Sequence, residues 1–386
     1  MIKKVIRIGS TILAIGIGVL LILLFTQLGE SSKGPLEDVM VKVSSLIDRW
    51  DSKYVTKRNS RERATSMDWF ESYRMHLDSL KNPEKVLLGA YDNNTESSFQ
   101  AIFNIENKID ETLPLIHIYS AWGSKPEQRF PLQQVSAIYS LGSIPVLTWE
   151  PWLEDFDREE YPYIKELEVR NKGGLTDVAN GVYDFYLKTW TKDLKNFPNP
   201  IFIRLGHEMN DPYRYSWGPQ NNSPEEFIRA WKHVVDYVKN AGINNVIWIW
   251  SPHPAYGYYS EYYPGDDYVD WVGVGTLNYG EAAVWSKWWS FDEIYGNFYK
   301  ELAAFNKPIM LTEFGSLEVG GERPVWYSEA LCNLKEKYPA TKSVLFFHFN
   351  NDVTLTNKSL NWYFVDDSLS VNSIRVCVDG WSGNLE

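Results

Sequence analysis

Residues 201–210 of this chain read IFIRLGHEMN, an apolar run that ends abruptly in charged and polar side chains. A short apolar run of this kind is typical of a strand that is buried on both faces of a parallel sheet. The polar residues begin where such a strand would leave the core. This stretch therefore predicts a buried parallel strand with polar groups at its carboxyl end.

The same pattern recurs along the chain from residue 86 onward. Helical segments alternate with eight short apolar runs, at residues 86–91, 115–119, 144–149, 201–205, 246–250, 271–274, 309–311 and 344–349. Eight strands that alternate with helices are typical of a closed (β/α)₈ barrel. We therefore predict an α/β fold with a TIM barrel over residues 85–386, and an open doubly wound sheet is the alternative.

One of the helices between these runs has clear boundaries. Residues 223–226 (SPEE) form a capping-box sequence with proline at the first helical position. An apolar stripe follows at helical spacing, and Gly242 is typical of a helix end.

The apolar runs share one further feature, because they end in polar or aromatic residues. These ends are residues 91–93 (YDN), 120–122 (SAW), 149–152 (WEPW), 207–210 (HEMN), 251–253 (SPH), 277–279 (LNY), 312–315 (TEFG) and 348–351 (HFNN). The carboxyl ends of barrel strands carry the active site. Because the polar residues follow the apolar run in every case, we predict that they surround the mouth at the carboxyl ends of the strands.

Two carboxylates stand out among these ends. Glu208 follows the fourth run and Glu313 follows the seventh, and the fourth and seventh strands face each other across a barrel of eight. A lone glutamate at a strand end is more often structural, but a facing pair favours catalysis. Cleavage of a glycosidic bond needs one protonated and one ionised carboxyl group. We therefore predict that Glu208 and Glu313 are the catalytic residues.

The composition narrows the class of ligand. The formal net charge of −12 argues against nucleic acid, which requires clustered lysine and arginine. Aromatic residues make up 15% of the chain, including 17 tryptophans and 24 tyrosines. Although most of them belong in a core, such flat rings with a polar handle also suit the faces of sugars.

The segments around both glutamates carry a family resemblance. Residues 204–210 (RLGHEMN), followed by Trp217 and Gly218, resemble the acid/base segment of glycoside hydrolase family 26, and residues 312–315 (TEFG) resemble its nucleophile segment. The resemblance covers roughly residues 85–355. It implies Glu208 as acid/base, Glu313 as nucleophile, and a covalent glycosyl-enzyme intermediate. This chain differs at residues 211–216 (DPYRYS), where many family mannanases have a glycine followed by aromatic residues.

The resemblance implies retaining endo-hydrolysis of a β-linked polysaccharide, and we expect β-1,4-mannan or β-1,3-1,4-glucan as the substrate. Some family members cleave β-1,3-xylan. One alternative is a non-catalytic sugar-binding barrel. Another is an accessory subunit of a membrane polysaccharide synthase that trims or binds the nascent polymer.

Substrate-binding roles are carried over by the same resemblance. His207 resembles a substrate-contacting histidine, although a buried histidine with satisfied hydrogen bonds is the alternative, and Asn210 is expected to bind substrate as well. Tyr279 resembles the tyrosine that donates a hydrogen bond to the nucleophile. Arg204 is expected to pair with a carboxylate inside the mouth. The candidate sugar platforms are Trp217, first of all, and Trp149, Trp152 and Trp285.

The chain begins with a basic segment and an apolar stretch. Residues 1–28 contain three basic residues and then an apolar run long enough for one membrane span. We predict an uncleaved signal anchor with the catalytic domain outside the cytoplasm. A cleaved signal peptide and a secreted protein are the alternative. Residues 29–84 are predicted as a linker and helical stalk, with an amphipathic helix at residues 36–50 that either packs on the barrel or docks a membrane partner.

The remaining patterns concern metals, cofactors and thiols. The six histidines are dispersed without metal-ligand spacing, and no glycine-rich phosphate loop occurs. We expect no metal and no cofactor. Cys332 and Cys377 are the two cysteines, and they form either a single disulfide or two free thiols.

Overall fold

The computed structural model describes residues 63–95, 99–353, 358–379 and 381. Within these ranges, eight parallel strands close into a barrel in the order in which they occur along the chain. Pairing of the first strand with the last completes the closure. The predicted (β/α)₈ barrel is therefore confirmed, and the open sheet is excluded.

The elements of the barrel alternate as the sequence pattern indicates. The strands are β1 Leu87–Asp92, β2 Leu115–Ala121, β3 Ile144–Glu150, β4 Ile201–Leu205, β5 Val246–Trp250, β6 Trp271–Asn278, β7 Ile309–Ser316 and β8 Thr341–His348. The described α-helices are α1 Asp68–Arg74, α2 Leu77–Lys81, α3 Gln100–Ile109, α4 Leu132–Ser140, α5 Leu167–Arg170, α6 Gly174–Ala179, α7 Asp184–Leu194, α8 Pro224–Asn240, α9 Tyr259–Tyr262, α10 Asn297–Ala303, α11 Arg323–Cys332, α12 Leu334–Lys337 and α13 Ser368–Val378.

Strands β6 and β7 run further than the apolar runs that predicted them. The runs end at residues 274 and 311, whereas the strands continue to Asn278 and Ser316. The added residues include glycine, threonine and glutamate, so hydropathy does not mark them as strand. The pairing register between β6 and β7 also shifts between Val274 and Gly275. As a result, Glu313 lies within β7 and not after it.

Helix α8 has the boundaries that its capping sequence predicts. The Ser223 hydroxyl accepts a hydrogen bond from the backbone N–H of Glu226, and the Glu226 carboxylate accepts one from the backbone N–H of Ser223. Gly242 follows the helix with a left-handed φ of 78°, which only glycine adopts without strain. The prediction for this helix is confirmed.

The N-terminal ends of the strands are covered by residues that were predicted as part of the stalk. Met67, Phe70 and Leu80 are buried against a cluster formed by the first residues of the strands, among them Trp271. The Trp271 indole donates a hydrogen bond of 3.0 Å to the Leu80 carbonyl oxygen. Residues on the N-terminal side of the predicted boundary at residue 84 therefore pack against the barrel.

A buried ion pair fixes the start of the described chain to the barrel. Arg63 lies 2.7 Å from Glu106 of α3, and the side chains of both residues are more than nine-tenths buried. Its guanidinium also donates to the Leu113 carbonyl oxygen and the Ser143 hydroxyl. These bonds satisfy the guanidinium, which would otherwise be a costly buried charge.

The predicted membrane anchor at residues 1–28 and the predicted helix at residues 36–50 lie outside the described residues. Among the residues that are described, no helix combines the length and the apolar character that crossing a membrane requires.

The two cysteines form a disulfide, which decides between the two alternatives. Cys332 ends α11 and Cys377 lies in α13, and their Cα atoms are 4.5 Å apart. The bridge joins two helices that pack against each other on the outside of the barrel. It closes a loop of chain across a sequence separation of 45 residues.

Removal of this disulfide is expected to destabilise the barrel by about 2–4 kcal/mol, because it releases the restraint on the unfolded chain. For the double variant Cys332→Ser/Cys377→Ser, we expect the thermal midpoint to fall by about 1–2 °C per kcal/mol lost. Calorimetry with and without dithiothreitol measures the effect. Dithiothreitol should lower the midpoint of the wild type and leave that of the double variant unchanged. A fall of equal size in both proteins would show that the reductant acts elsewhere.

Candidate active site

The loop after β4 presents Glu208 with an unusual backbone conformation. Gly206 and Glu208 both have left-handed φ angles, of 49° and 52°. Such a conformation is uncommon for a residue other than glycine and often marks a functional site. Two backbone hydrogen bonds hold the turn, from the Gly206 N–H to the Trp149 carbonyl oxygen and from the Glu208 N–H to the Ser251 carbonyl oxygen. Neighbouring strand ends therefore fix where the Glu208 side chain lies.

Glu313 of β7 is held by two donors that share one carboxylate oxygen. Arg204 Nη1 lies 2.6 Å from Glu313 Oε1, and the Tyr119 hydroxyl donates to the same oxygen at 2.9 Å. Arg204 is fully buried in β4, and its Nε donates to the Ser251 hydroxyl. The prediction that Arg204 pairs with a carboxylate inside the mouth is confirmed.

This environment keeps Glu313 ionised. Burial by itself would raise the pKa of Glu313, but the charge and the hydrogen bond of Arg204 outweigh burial. With further help from His117 and Tyr119, the pKa of Glu313 falls below its ordinary value. Arg204 and Tyr119 both bond Oε1 of Glu313, so Oε2 is not engaged by either donor. A carboxylate must be ionised to act as a nucleophile.

Gly275 of β6 opens the space between the two glutamates. Its Cα pairs with that of Glu313 in the sheet. A Cβ atom placed on Gly275 would lie 3.4 Å from Glu208 Oε1 and 3.9 Å from Glu313 Oε2. Both carboxylates therefore face one small volume, which a larger residue at position 275 would begin to fill. The predicted convergence of Glu208 and Glu313 is present in the structure.

Glu208 has a partner of a different kind. Arg214 Nη1 lies 3.2 Å from Glu208 Oε2, and its side chain is 25% exposed whereas that of Glu208 is 6% exposed. Arg214 belongs to the loop at residues 211–216, which follows β4. Sequence reasoning did not single it out, because nothing in the spacing of the residues indicates that the loop folds back onto Glu208.

The tyrosine that bonds Glu313 is not the predicted one. Tyr119 of β2 makes this hydrogen bond, whereas the structure gives Tyr279 no hydrogen bond to Glu313. The Tyr279 ring packs edge-on against Trp362 and Trp285. Tyr119 points into the mouth because alternate residues of a barrel strand face inward.

A third carboxylate, Glu150 at the end of β3, also lies in the mouth. The Trp152 indole donates to it at 3.1 Å, and His207 Nε2 is 4.0 Å from its other oxygen. Burial, helped by the charges of Glu313 and Glu208, raises the pKa of Glu150 to about 7. Glu150 stands in one of the polar strand ends, but the sequence pattern there does not distinguish a carboxylate that enters the mouth from one that faces solvent.

Two of the predicted sugar platforms are part of the core. Trp217 is only 2% exposed, its ring stacks on Tyr215, and its indole donates to the His207 carbonyl oxygen. Trp149 is fully buried, and its ring stacks on Trp190 of α7 at 3.8 Å. Neither ring has a free face for a sugar, so both predictions are wrong in this structure.

Two predicted polar contacts are also used within the protein. The Asn210 side chain bonds the backbone N–H and carbonyl of His253 and the carbonyl of Gly257, so it ties the loops after β4 and β5 together. His207 is 2% exposed and hydrogen-bonds the Tyr215 hydroxyl at 3.0 Å. His207 is therefore buried, as in the alternative, but its Nδ1 has no hydrogen-bond partner among the described residues, so its hydrogen bonds are only partly satisfied. The Asn210 amide is likewise engaged by backbone groups of the protein, which indicates a structural role and not the predicted contact with a sugar.

Other aromatic residues are available to a ligand. Trp285 is 51% exposed in the loop after β6, and Trp152 is half-buried beside Glu150. Tyr213 and Tyr258, which were not predicted, are 79% and 71% exposed in the loops after β4 and β5. These rings lie on several of the loops around the mouth, as binding of an extended chain would require.

One group of residues in the described ranges has the geometry of metal ligands. Single ligand atoms of Glu208, Asp211 and His253 all lie within 4.8 Å of one another. Glu208 is paired with Arg214, and Asp211 accepts a hydrogen bond from the backbone N–H of Tyr213. Because Glu208 already has a cationic partner in Arg214, we assign no metal to this group.

Comparison with known proteins agrees with this geometry. The family model described as Glycosyl hydrolase family 26 matches residues 155–369. Endoglucanase H of Acetivibrio thermocellus is 29% identical over 298 residues, which are 75% of this chain and 30% of the relative. A mannan endo-1,4-β-mannosidase of Bacillus subtilis is 28% identical over 219 residues, which are 54% of this chain and 52% of the relative. The chain thus spans about a third to a half of the length of these relatives.

A solved structure supports the fold. A Bacillus subtilis mannanase aligns with a TM-score of 0.53 and 21% identity, over 83% of this chain and 91% of the mannanase. At this identity the alignment shows a shared barrel fold and nothing about the substrate.

Proposed function

The chain belongs to glycosyl hydrolase family 26, and on that basis we propose that it is an endo-acting, retaining glycoside hydrolase. One observation carries the proposal. Glu313, held ionised by Arg204 and Tyr119, faces the second buried carboxyl group, Glu208, across the space at Gly275. Paired carboxyl groups of this kind are what glycoside hydrolysis requires.

The proposed reaction has two steps, and both glutamates take part in each step. In the first step, Glu313 Oε2 attacks the anomeric carbon while Glu208 gives its proton to the leaving oxygen, and a glycosyl ester of Glu313 forms. In the second step, Glu208 takes a proton from water, whose oxygen attacks the anomeric carbon and releases Glu313. Two displacements at the same carbon restore its original configuration.

For the substrate we propose β-1,4-mannan or β-1,3-1,4-glucan. Support comes from the relatives, which are named as an endoglucanase and as a mannan endo-1,4-β-mannosidase. Exposed rings on the loops after β4, β5 and β6, at Tyr213, Tyr258 and Trp285, support binding of several sugar units. A mouth lined in this way suits cleavage within a polymer.

The test is hydrolysis by the full chain of mannan, mixed-linkage glucan and β-1,3-xylan. We expect a rapid fall in viscosity relative to the release of reducing ends on one of the first two polymers, because an endo-acting enzyme cuts internal bonds. Proton NMR should show the β-anomer as the first product. Failure to cleave all three polymers would contradict the proposed activity, and an α-anomer formed first would contradict retention.

We also propose an extracytoplasmic location. The Cys332–Cys377 disulfide supports it, because such bridges persist in oxidising compartments. Attachment to a membrane through residues 1–28 and a role beside a membrane polysaccharide synthase remain predictions.

A further inference from the structure

A cationic groove lies on the outer wall of the barrel, between α7 and α8. Its volume is about 540 Å³, which is in the range of sites that bind small ligands. None of the described residues that line it is acidic. We call this site the lysine groove, and its lining residues are Lys188, Thr191, Lys192, Lys195, Tyr237, Asn240 and Ala241.

The lysine groove lies toward the end of the barrel opposite the mouth. Lys195 follows α7 shortly before β4 begins, and Ala241 follows α8 shortly before β5 begins. Each helix of a (β/α)₈ barrel runs back from the mouth toward the N-terminal ends of the strands. Glu208 and Glu313 lie at the carboxyl ends of β4 and β7. The lysine groove is therefore separate from the site proposed for hydrolysis.

The three lysines of the groove carry charges that no carboxylate of the described residues neutralises. All three are exposed, and the ion pairs of lysine within the described ranges involve other residues, namely Lys81, Lys165, Lys287, Lys307 and Lys337. The chain has 50 acidic residues against 38 lysines and arginines, so carboxylates are in excess. Three neighbouring ammonium groups nevertheless stay available to an anion.

The three lysines form a row along α7. Lys188 and Lys192 lie within the helix, and Lys195 continues it with helical backbone angles. Side chains three or four positions apart lie on the same face of a helix. With a rise of about 1.5 Å per residue, the row extends about 10 Å along the helix axis. Such a row suits an extended ligand with several negative charges better than a single small ion.

The α8 side of the groove suits a sugar. Tyr237 is half-buried, and its ring offers a flat apolar surface against which the C–H groups of a sugar can pack. Asn240 is exposed, and its amide can both donate hydrogen bonds to hydroxyl groups and accept them. An aromatic ring, an amide and a row of ammonium groups together match hydroxylated rings that bear carboxylate or phosphate groups.

We propose that the lysine groove binds an acidic oligosaccharide. The anionic groups of the ligand pair with Lys188, Lys192 and Lys195, and its sugar rings lie against Tyr237 and Asn240. Ion pairs at an exposed surface are individually weak, so several must form together, and a ligand with more than one charge is favoured. This binding goes beyond the proposed hydrolysis and does not depend on it.

Calorimetric titration of the full chain with trigalacturonate, an acidic trisaccharide, tests the proposal. Trigalacturonate is α-linked, so it is not a substrate of the proposed β-glycanase, and the assay reports binding alone. We expect binding at low salt, with a dissociation constant that rises with ionic strength because the lysines are exposed. The trimethyl ester has the same rings without the charges and should bind roughly ten-fold more weakly. Equal binding of the acid and the ester, or no binding of the acid, would overturn the proposal.

A triple variant tests the row of lysines directly. Lys188→Gln/Lys192→Gln/Lys195→Gln removes the three charges, and we expect trigalacturonate to bind it roughly ten-fold more weakly than the wild type. Basic residues in the last turn of a helix also stabilise it through the helix dipole. If the lysines had only that role, the variant would melt at a lower temperature and bind trigalacturonate normally, which would contradict the proposal.

Two controls separate the groove from overall charge. The variant Lys108→Gln/Lys172→Gln/Lys300→Gln removes the same charge from exposed lysines elsewhere and should bind trigalacturonate as the wild type does. An equal loss in this variant would refute a specific role of the groove. Inorganic phosphate should compete poorly with trigalacturonate. Competition as effective as that of unlabelled trigalacturonate would show that the groove recognises charge and not a sugar, and the proposal would fail.

Discussion

Replacement of Glu313 with alanine is expected to lower kcat on polysaccharide by roughly five to six orders of magnitude, as the loss of a nucleophile does in other enzymes. The reason is the arrangement around its carboxylate. Arg204 and Tyr119 bond Oε1, and alanine leaves both donors directed at an empty space. The other carboxylate oxygen beside Gly275 belongs to Glu208, which is needed as the proton donor in the proposed reaction. Initial rates of reducing-end release measure the loss.

The product formed with azide tests the role of Glu313 independently of the loss of rate. In Glu313→Ala, azide can enter the vacated space and attack the anomeric carbon of an activated β-glycoside in one displacement. The product should be the α-glycosyl azide, with inverted configuration. Glu318→Ala, which changes an exposed glutamate in the loop after β7, is the matched control and should retain activity. Substantial hydrolysis of polysaccharide by Glu313→Ala would rule out the assignment.

Replacement of Glu208 with alanine is expected to lower kcat/KM on polysaccharide by roughly two to four orders of magnitude, the usual contribution of a general acid. An activated aryl glycoside needs little protonation of its leaving oxygen, so its first step should be far less affected. Its second step should be slow, because no base remains to deprotonate water. We therefore expect a burst of phenol release and accumulation of glycosylated Glu313, which intact-protein mass spectrometry detects.

The same variant gives the opposite result with azide. In Glu208→Ala, azide needs no base and should attack the glycosyl ester of Glu313, which restores turnover and yields the β-glycosyl azide with retained configuration. The two variants thus produce opposite anomers if the roles are assigned correctly. Equal losses on polysaccharide and aryl glycoside, without an accumulated ester, would contradict the role of Glu208.

The barrel and the facing pair of glutamates could be predicted from the sequence because local patterns encode them. Buried strands such as β4 and β5 appear as apolar runs, and their predicted bounds agree with the structure. The capping sequence at residues 223–226 marks the start of α8 for the same reason, since its hydrogen bonds join near neighbours in the chain. Once the strands are counted, the geometry of a barrel brings Glu208 and Glu313 to one mouth.

The partners of the catalytic pair depend on contacts between residues far apart in the chain. Tyr119 bonds Glu313 across 194 positions of sequence, and the pattern around Tyr119 does not distinguish it from Tyr279. The burial of Trp149 depends on the packing of α7 over β3, which places Trp190 on its ring. Composition alone does not separate a core tryptophan from a sugar platform, because both require the same apolar surface.

The order of the strands, the mouth of the barrel and the two glutamates can be derived from the sequence, because they follow from periodicity and from position along each strand. The electrostatic setting of those glutamates requires the folded structure. Whether a carboxyl group is ionised depends on burial and on charges a few ångströms away. For Glu313 that charge is Arg204 on a neighbouring part of the barrel, and the contact of Glu208 with Arg214 likewise depends on a loop that folds back onto it.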